Sequence, residues 1–267
     1  MQPPKRHWQE MTTAEFAAAA ASGDIARWIA VLPVAAIEQH GPHLAVATDA
    51  AIAAGMIAEV LARLPEELPA TFLPLQAIGK SNEHIASPGT LTLSWDTAIR
   101  AWLEIAESVR RAGVQKLVVV NAHGGNVPLI DILVRELRVR HRMLAVHTAW
   151  MRFGDGGVAD ETEACYGIHG GTVETALMLH FRPDLVNMAE ARDFVSAQAD
   201  LERAFTFLRA HGGHAFGWQA EDLNPAGTVG DATRATAALG ARTAAHQAEA
   251  FIALLTDVDA FDLTRLA

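Results

Sequence analysis

The feature that most constrains this chain is an apolar run that ends in a dense polar cluster. Residues 30–37 are apolar, with Pro33 as the one interruption of their strand-forming composition. A run of this length and composition is typical of a strand that is buried on both faces, as in a parallel sheet. The sequence EQHGPH, residues 38–43, follows directly. Ligand sites in open α/β sheets lie at the carboxyl ends of the strands, so we expect a site just beyond this run.

The residues after this run carry groups that can bind a metal ion. Glu38 and His40 are two positions apart, so on an extended segment their side chains project from the same side. Gly41 and Pro42 then turn the chain, and Asp49 follows at the start of a predicted helix. A metal site and a salt-bridged loop both fit this stretch. For Asp49 the alternative is a helix N-cap.

The rest of the chain alternates between apolar strands and helices. Further strands are predicted at residues 70–79, 116–121 and 143–149. Helices are predicted at residues 50–64, 95–112, 127–140 and 232–255, with another that opens at 169 and closes before Pro183. This alternation is typical of a parallel, layered α/β domain. The sequence has no internal repeat and no linker composition, so we expect one domain over residues 1–267.

The composition excludes several classes of protein. The chain is 51% hydrophobic and 19% charged, which indicates a buried globular core. Its 31 acidic residues outnumber 21 basic ones, and no basic stripe is present, which argues against nucleic-acid binding. No apolar run reaches the roughly 18 residues that a membrane span needs. The N-terminus does not resemble a secretory signal, and the single cysteine, Cys165, cannot form an internal disulfide. We therefore expect a cytoplasmic protein without a membrane partner.

Two further histidine motifs follow predicted strands or loops. His123 follows the strand at residues 116–121, within NAHGGN, where the glycines let other groups approach the backbone closely. His169 begins the sequence HGGTVET, and Glu174 lies five residues on, in the first turns of a helix. Imidazole and carboxylate ligands without cysteine suit Zn²⁺, Mn²⁺ or Fe²⁺. The number of carboxylates favours a site with two metal ions.

The three motifs together resemble the signatures of the creatininase family. They are IEQHGPHL with Asp49, NAHGGN, and HGGTVET, and the resemblance runs from about residue 30 to 180. NPAGTVGD, residues 224–231, is also similar to the C-terminal part of that family. The resemblance implies a metal-dependent amidohydrolase with a three-layer α/β/α sandwich around a mostly parallel central sheet. It also implies a homo-oligomer, usually a hexamer.

The resemblance further implies a set of metal ligands. Glu38 and His123 would bind one metal ion, His40 would bind the other, and Asp49 would bridge both. In creatininase itself the residue two positions after the equivalent of His123 is a glutamate ligand, and this chain has glycine there. We therefore expect Glu174 to supply the missing ligand, although the helix dipole alone would also favour a carboxylate at that position.

The same glycine, Gly125, argues against creatinine as the substrate. Several family members with HGGN in this place act on a formamide or on a C-terminal peptide bond. We expect hydrolysis of a small amide, cyclic amide or formamide C–N bond by metal-activated water, with two ions, zinc first and manganese or iron as alternatives. His169, by resemblance, would move the proton to the leaving nitrogen. Capping or packing is the alternative for this histidine.

Three residues are candidates for substrate binding. Glu83 and His84 lie in the polar loop at residues 80–90, and Trp150 follows a strand end. A solvated loop and core packing are the respective alternatives. Two other functions stay open, namely a peptidase or deformylase in cofactor biosynthesis and a metal-binding oligomer without turnover. Structural zinc sites are closed by four ligands, often cysteines, so a carboxylate-rich site at glycine loops favours catalysis.

Overall fold

A four-stranded parallel sheet forms the centre of the molecule. The computed structural model describes residues 2–266. The strands are β1 (Ile29–Val34), β2 (Ala70–Phe72), β3 (Lys116–Asn121) and β4 (Leu144–Ala149). Their order is β2-β1-β3-β4, and every pairing is parallel. Each residue of β1 and β3 is buried, which explains why β1 is apolar throughout and why β3 has an apolar centre between Lys116 and Asn121.

Helices cover both faces of the sheet. The helices are α1 (Thr13–Ser22), α2 (Thr48–Leu61), α3 (Trp95–Arg111), α4 (Val127–His141), α5 (Glu161–Tyr166), α6 (Thr172–Phe181), α7 (Gln198–Ala204), α8 (Ala220–Leu223) and α9 (Ala237–Ala260). A short antiparallel pair is formed by β5 (Asp193–Phe194) and β6 (Gly230–Asp231). No helix in the described residues 2–266 is long and apolar enough to cross a membrane.

The side chains of the central strands alternate between two hydrophobic cores. Ile29 and Val31 of β1 pack with α2, α6 and α9, whereas Ala30 and Leu32 pack with α3 and α4. This alternation follows from the two-residue period of a strand. The protein is therefore a three-layer α/β/α sandwich around a parallel sheet, and the fold class expected from the sequence is confirmed.

Several boundaries differ from the sequence prediction. The strand predicted at residues 70–79 is regular only over β2, and a single bridge between Val34 and Gln76 continues it. The last helix begins at Ala237 and not at residue 232, because the side chain of Thr236 accepts the N–H of Leu239 and caps it there. Helix α6 begins at Thr172, since Gly170 before it has a φ of 73°, outside the helical region.

Candidate metal centre

The polar residues after β1 and β3 meet at one edge of the sheet. β1 and β3 are parallel neighbours, so their carboxyl ends lie side by side. Glu38 and His40 follow β1, and His123 follows β3. Asp49 lies in the first turn of α2, but Ala47 is the N-cap position, so Asp49 does not cap the helix. These four side chains are almost completely buried, with exposed fractions of 1–6%.

Glu38, Asp49 and His123 form the first group of potential metal ligands. Nδ1 of His123 lies 3.1 Å from Oε2 of Glu38 and 3.3 Å from Oδ2 of Asp49. One nitrogen or oxygen atom from each of the three residues lies within 4.8 Å of the others. This geometry allows a single cation to contact all three side chains.

His40, Asp49 and Glu174 form a second group on the other side of Asp49. Nε2 of His40 lies 3.2 Å from Oδ1 of Asp49 and 3.8 Å from Oε2 of Glu174. The ligand atoms of this group also lie within 4.8 Å of one another. Asp49 thus directs Oδ1 toward His40 and Oδ2 toward His123, which is the arrangement of a bridging carboxylate.

Several buried polar atoms of the two groups lack hydrogen-bond partners among the described residues. They are Oε1 of Glu38, Nε2 of His40 and Oδ2 of Asp49. An unpaired buried polar atom is costly, so a cluster of such atoms that converge on one space calls for a further partner. Because the converging atoms are carboxylate oxygens and an imidazole nitrogen, divalent metal ions fit this donor set.

The charges of the cluster shift the pKa values of its members in the metal-free chain. Burial alone would lower the pKa of His40, but the carboxylates of Asp49, Glu174 and Glu38 outweigh it and raise that pKa to about 10. Against the same effect of burial, the nearby carboxylates raise the pKa of His123 well above its usual value. Burial raises the pKa of Glu174 to about 7. The carboxylates of this cluster therefore stabilise the charged forms of the neighbouring imidazoles.

His169 lies against this cluster. Its ring centroid is 4.1 Å from that of His40, and its Nδ1 is 3.7 Å from Oε1 of Glu38. Thr228 holds the backbone in place by donating a 2.6 Å hydrogen bond to the carbonyl oxygen of His169. Burial, together with the nearby His40 and His84, keeps the pKa of His169 well below its usual value. The neutral form of the imidazole is therefore favoured.

The loop between β2 and α3 reaches the same cluster. The hydroxyl of Ser81 donates a hydrogen bond to Oε2 of Glu38, and Nε2 of His84 lies 3.4 Å from Oε1 of that residue. Oε1 of Glu83 lies 3.3 Å from Nε2 of His123. Glu83 and His84, which the sequence suggested for substrate binding, are thus in contact with predicted metal ligands.

A cavity of about 570 Å³ opens beside the cluster. His123 and Glu174 form part of its wall, and so does Trp150, the third predicted substrate-binding residue. Most of the wall is apolar, including Ile52, Val127, Met151, Val173 and Leu177. Glu83 and His84 are not among the residues that line this cavity. Trp150 is 2% exposed and packs against Phe251 in a tilted arrangement with ring centroids 5.0 Å apart, so it also belongs to the core.

Two residues near the site were not singled out by sequence reasoning. Gln39 donates to the backbone carbonyl of Gly227 and contacts Nδ1 of His84 at 2.7 Å. Glu163 is 5% exposed and accepts hydrogen bonds from the N–H groups of Thr172 and Asp231, at 2.5 and 2.9 Å. It thereby ties α5 to the start of α6. The one available signal for Gln39 is its position between Glu38 and His40.

A buried carboxylate and imidazole cluster at the carboxyl edge of an α/β/α sheet is the arrangement of a metal-dependent hydrolase. Comparison with known proteins assigns the family. The model of the creatininase family, described as creatinine amidohydrolase, matches residues 9–255. The chain belongs to the creatininase family, and it is a metal-dependent hydrolase that acts on C–N bonds.

Individual relatives differ in their described activities. The chain is 33% identical over 230 residues to the mycofactocin precursor peptide peptidase of Mycobacterium ulcerans (strain Agy99), covering 83% of this chain and 82% of the relative. It is 32% identical over 201 residues to the creatinine amidohydrolase of Pseudomonas putida, covering 69% of this chain and 75% of the relative. A creatininase structure described as the Mn form matches with a TM-score of 0.73 and 25% identity, covering 95% of this chain and 98% of that one.

Proposed function

We propose that this chain hydrolyses an amide C–N bond with two divalent metal ions. The proposed ligands are Glu38, His40, Asp49, His123 and Glu174. The observation that carries the proposal is the position of Asp49, whose two carboxylate oxygens face His40 and His123 at 3.2 and 3.3 Å. A carboxylate placed between two imidazoles is suited to bridge two metal ions, as a two-metal hydrolase site uses.

Zinc is the proposed metal, with manganese or iron as alternatives. Imidazole and carboxylate donors without cysteine suit all three ions. When bound, such ions would supply a water molecule with a pKa lowered toward about 7 and a positive charge at the carbonyl oxygen of the substrate. The burial of Glu38, His40, Asp49 and His123 at 1–6% exposure supports this chemistry, because bulk water screens charges less in such a site.

His169 is the proposed catalytic residue. Its Nε2 donates a 2.8 Å hydrogen bond to the carbonyl oxygen of Gln39, which leaves the lone pair of Nδ1 directed toward the cluster. A neutral imidazole in this position can take up a proton and pass it to the leaving nitrogen. Such proton transfer contributes on the order of 10²–10⁴ in rate. Burial lowers the pKa of His169 and so favours the release of that proton.

The proposed substrate is a small amide, cyclic amide or formamide. A second candidate, a peptide bond, is favoured by the apolar cavity of about 570 Å³, which has room for more than a small polar ring. The described activity of the relative from Mycobacterium ulcerans supports this candidate. Of the three residues suggested for substrate binding, Trp150 has the direct support of lining the cavity, whereas Glu83 and His84 contact the proposed metal ligands His123 and Glu38.

Metal analysis tests the proposed site. Protein purified without chelator should contain about two divalent ions per chain, as expected for a two-metal centre. Glu38→Gln and His123→Ala should lose metal, whereas Glu104→Gln, a matched change on the exposed side of α3, should keep it. Protein without divalent metal, together with folded variants that behave like the wild type, would contradict the proposal.

A hydrolysis screen tests the reaction and separates the two substrate candidates. Creatinine, formamides and short peptides with apolar C-terminal residues should be compared at equal metal loading. Activity should disappear after chelation and return with added Zn²⁺ or Mn²⁺. Turnover of peptides alone would assign the peptidase function, and turnover of small amides alone would assign the amidase function. Activity that persists in the presence of chelator would refute both.

We also propose a single domain, a homo-oligomer of hexameric size and a cytoplasmic location, with no nucleic-acid partner. The unpaired, exposed Cys165 supports the location, since exposed thiols persist in a reducing compartment. Exposed large apolar side chains, among them Trp95 at 65% and Phe207 at 68%, support association. Sedimentation velocity of the metal-loaded protein measures the mass, and a monomer at micromolar concentration would contradict the oligomer.

A further inference from the structure

The side-chain amide of Gln39 is held in one orientation by two backbone groups. The N–H of Gly41 donates to Oε1 of Gln39 at 2.9 Å, and Nε2 of Gln39 donates to the carbonyl oxygen of Gly227. A backbone N–H can only donate and a backbone carbonyl can only accept. Rotation of the amide by 180° would break both hydrogen bonds, so the positions of its oxygen and nitrogen are determined by their partners. Gln39 is also 8% exposed, which makes unpaired groups costly.

The remaining hydrogen of this amide determines which nitrogen of His84 carries a proton. Nε2 of Gln39 lies 2.7 Å from Nδ1 of His84. Because an amide nitrogen is a donor only, Nδ1 must be the acceptor and must carry no hydrogen. In a doubly protonated ring, the N–H at Nδ1 of His84 would face the N–H of Gln39 at 2.7 Å, and the two donors would repel each other. The contact therefore selects a neutral His84 with its hydrogen on Nε2.

This hydrogen is directed at a proposed metal ligand. Nε2 of His84 lies 3.4 Å from Oε1 of Glu38, a buried atom that accepts no hydrogen bond among the described residues. The ring is 2% exposed and stacks on His169 with centroids 4.3 Å apart. A nitrogen that carries a hydrogen has no lone pair for a metal ion. His84 in this tautomer orients Glu38 and does not itself bind metal.

We propose that Gln39 is a positioning residue that makes His84 a hydrogen-bond donor to Glu38 and keeps this histidine from coordinating metal. The backbone carbonyl oxygen of Gln39 also accepts the Nε2 hydrogen of His169 at 2.8 Å, so the side chain of this residue orients one ring and its backbone orients the other. As a result, a donor on His84 and a lone pair on His169 face the same oxygen of Glu38, at 3.4 and 3.7 Å. The metal part of this inference rests on the proposed function, whereas the tautomer is a property of the chain alone.

The tautomer can be measured directly in metal-free protein. ¹⁵N-histidine-labelled protein is treated with chelator, and magnetic resonance distinguishes protonated from unprotonated ring nitrogens. The His84 signals are identified by their loss in His84→Asn. In the wild type we expect a protonated Nε2 and an unprotonated Nδ1. In Gln39→Glu we expect Nδ1 of His84 to gain a proton, because a carboxylate in this place can only accept. In Gln39→Met, which removes both the donor and the acceptor, we expect the single tautomer to be lost.

The control is Gln76→Glu, the same change of charge at a partly exposed glutamine outside the site. It should leave the His84 signals unchanged. A wild type with a protonated Nδ1 overturns the inference, and so does an unchanged His84 tautomer in both folded Gln39 variants. Because these spectra need no metal, they separate the inference from the proposed function. A wild type that shows the expected tautomer but binds no metal would refute only the latter.

Discussion

Gly125 occupies a position where the structure leaves no room for a side chain, and Gly125→Ala tests this directly. A Cβ atom there would lie 1.9 Å from Oε1 of Glu83, 2.5 Å from Nε2 of His123 and 2.8 Å from the carbonyl oxygen of Lys80. The carbonyl belongs to the backbone, and the His123 ring is held by Glu38 and Asp49. The carboxylate of Glu83 is at the end of a flexible side chain, so it must move first.

The cost of this movement follows from the contacts that are lost. Overpacking of this kind destabilises a fold by about 1–3 kcal/mol. The ion pair of Glu83 with Lys80, at 2.7 Å and partly exposed, adds at most about 1 kcal/mol. Nε2 of His123 also loses its carboxylate neighbour and keeps the backbone carbonyl oxygen of Lys80, at 3.0 Å. Since the loss of such a partner weakens metal binding by about 10–100-fold, we expect an effect at the lower end of that range. We therefore expect Gly125→Ala to lower both the stability and the metal affinity.

Chemical denaturation measures the stability, and titration of chelator-treated protein with Zn²⁺ measures the affinity. Gly124→Ala is the matched control, because a Cβ at that neighbouring glycine would meet no atom within 4 Å. A double-mutant cycle with Glu83→Ala isolates the clash. In the Glu83→Ala background, Gly125→Ala should lower the free energy of unfolding by less than in the wild type, with a coupling energy of at least about 0.5 kcal/mol.

Two results would refute this reasoning. In the first, Gly125→Ala and Gly124→Ala have the same stability and the same zinc affinity as the wild type. In the second, the effects of Gly125→Ala and Glu83→Ala simply add. Either result would mean that Glu83 does not occupy the space beside Gly125 in solution.

Three further predictions concern the same site. The pKa of His40 in the metal-free chain is about 10, so its imidazolium must lose a proton to bind metal at pH 8. The metal affinity should therefore rise as the pH is raised toward that pKa. Calorimetry in buffers of different ionisation enthalpy should detect the released proton, and the absence of proton release would contradict the role of His40. Asp49→Asn should abolish binding of both ions together, which metal analysis would show, whereas retention of one ion at wild-type affinity would exclude a bridge. Trp150→Ala removes a side chain that is 2% exposed and should lower the free energy of unfolding by about 3–5 kcal/mol in a denaturant titration; a loss below about 1 kcal/mol would show that Trp150 does not support the core.

Much of the fold could be predicted because local patterns agree with the tertiary structure. The strand predicted at residues 116–121 is β3 itself, since burial on both faces leaves an unbroken apolar run between polar ends. The start of α1 follows a local pattern too, because Thr12 and Glu15 form a capping box. The prediction for residues 70–79 was too long, because apolar composition does not show where a strand loses its partner. Pro74 in this segment has no N–H for a ladder.

The site could be predicted only in part. The motifs after β1 and β3, and the one before α6, pointed to the residues that converge, because each follows a chain segment of recognisable type. The contacts of Ser81 with Glu38, and of Gln39 with Gly227, join residues 43 and 188 positions apart in the sequence. No local spacing encodes such contacts. The same holds for Glu163, whose carboxylate is buried only because the chain returns to it from residues 172 and 231.

The register between β1 and β3 sets the position of the polar cluster independently of the shape of the cavity. Val34 pairs with Asn121, so the backbones that carry Glu38 and His123 leave the sheet from a shared rigid base. Much of the cavity wall, in contrast, comes from residues 149–168. This segment runs from the end of β4, the edge strand, toward α6 and adds no further strand to the central sheet. Substitutions in that connection can reshape the cavity while the distance between the two halves of the metal centre stays constant. The shape of the cavity and the geometry of the polar cluster are therefore set by different parts of this chain.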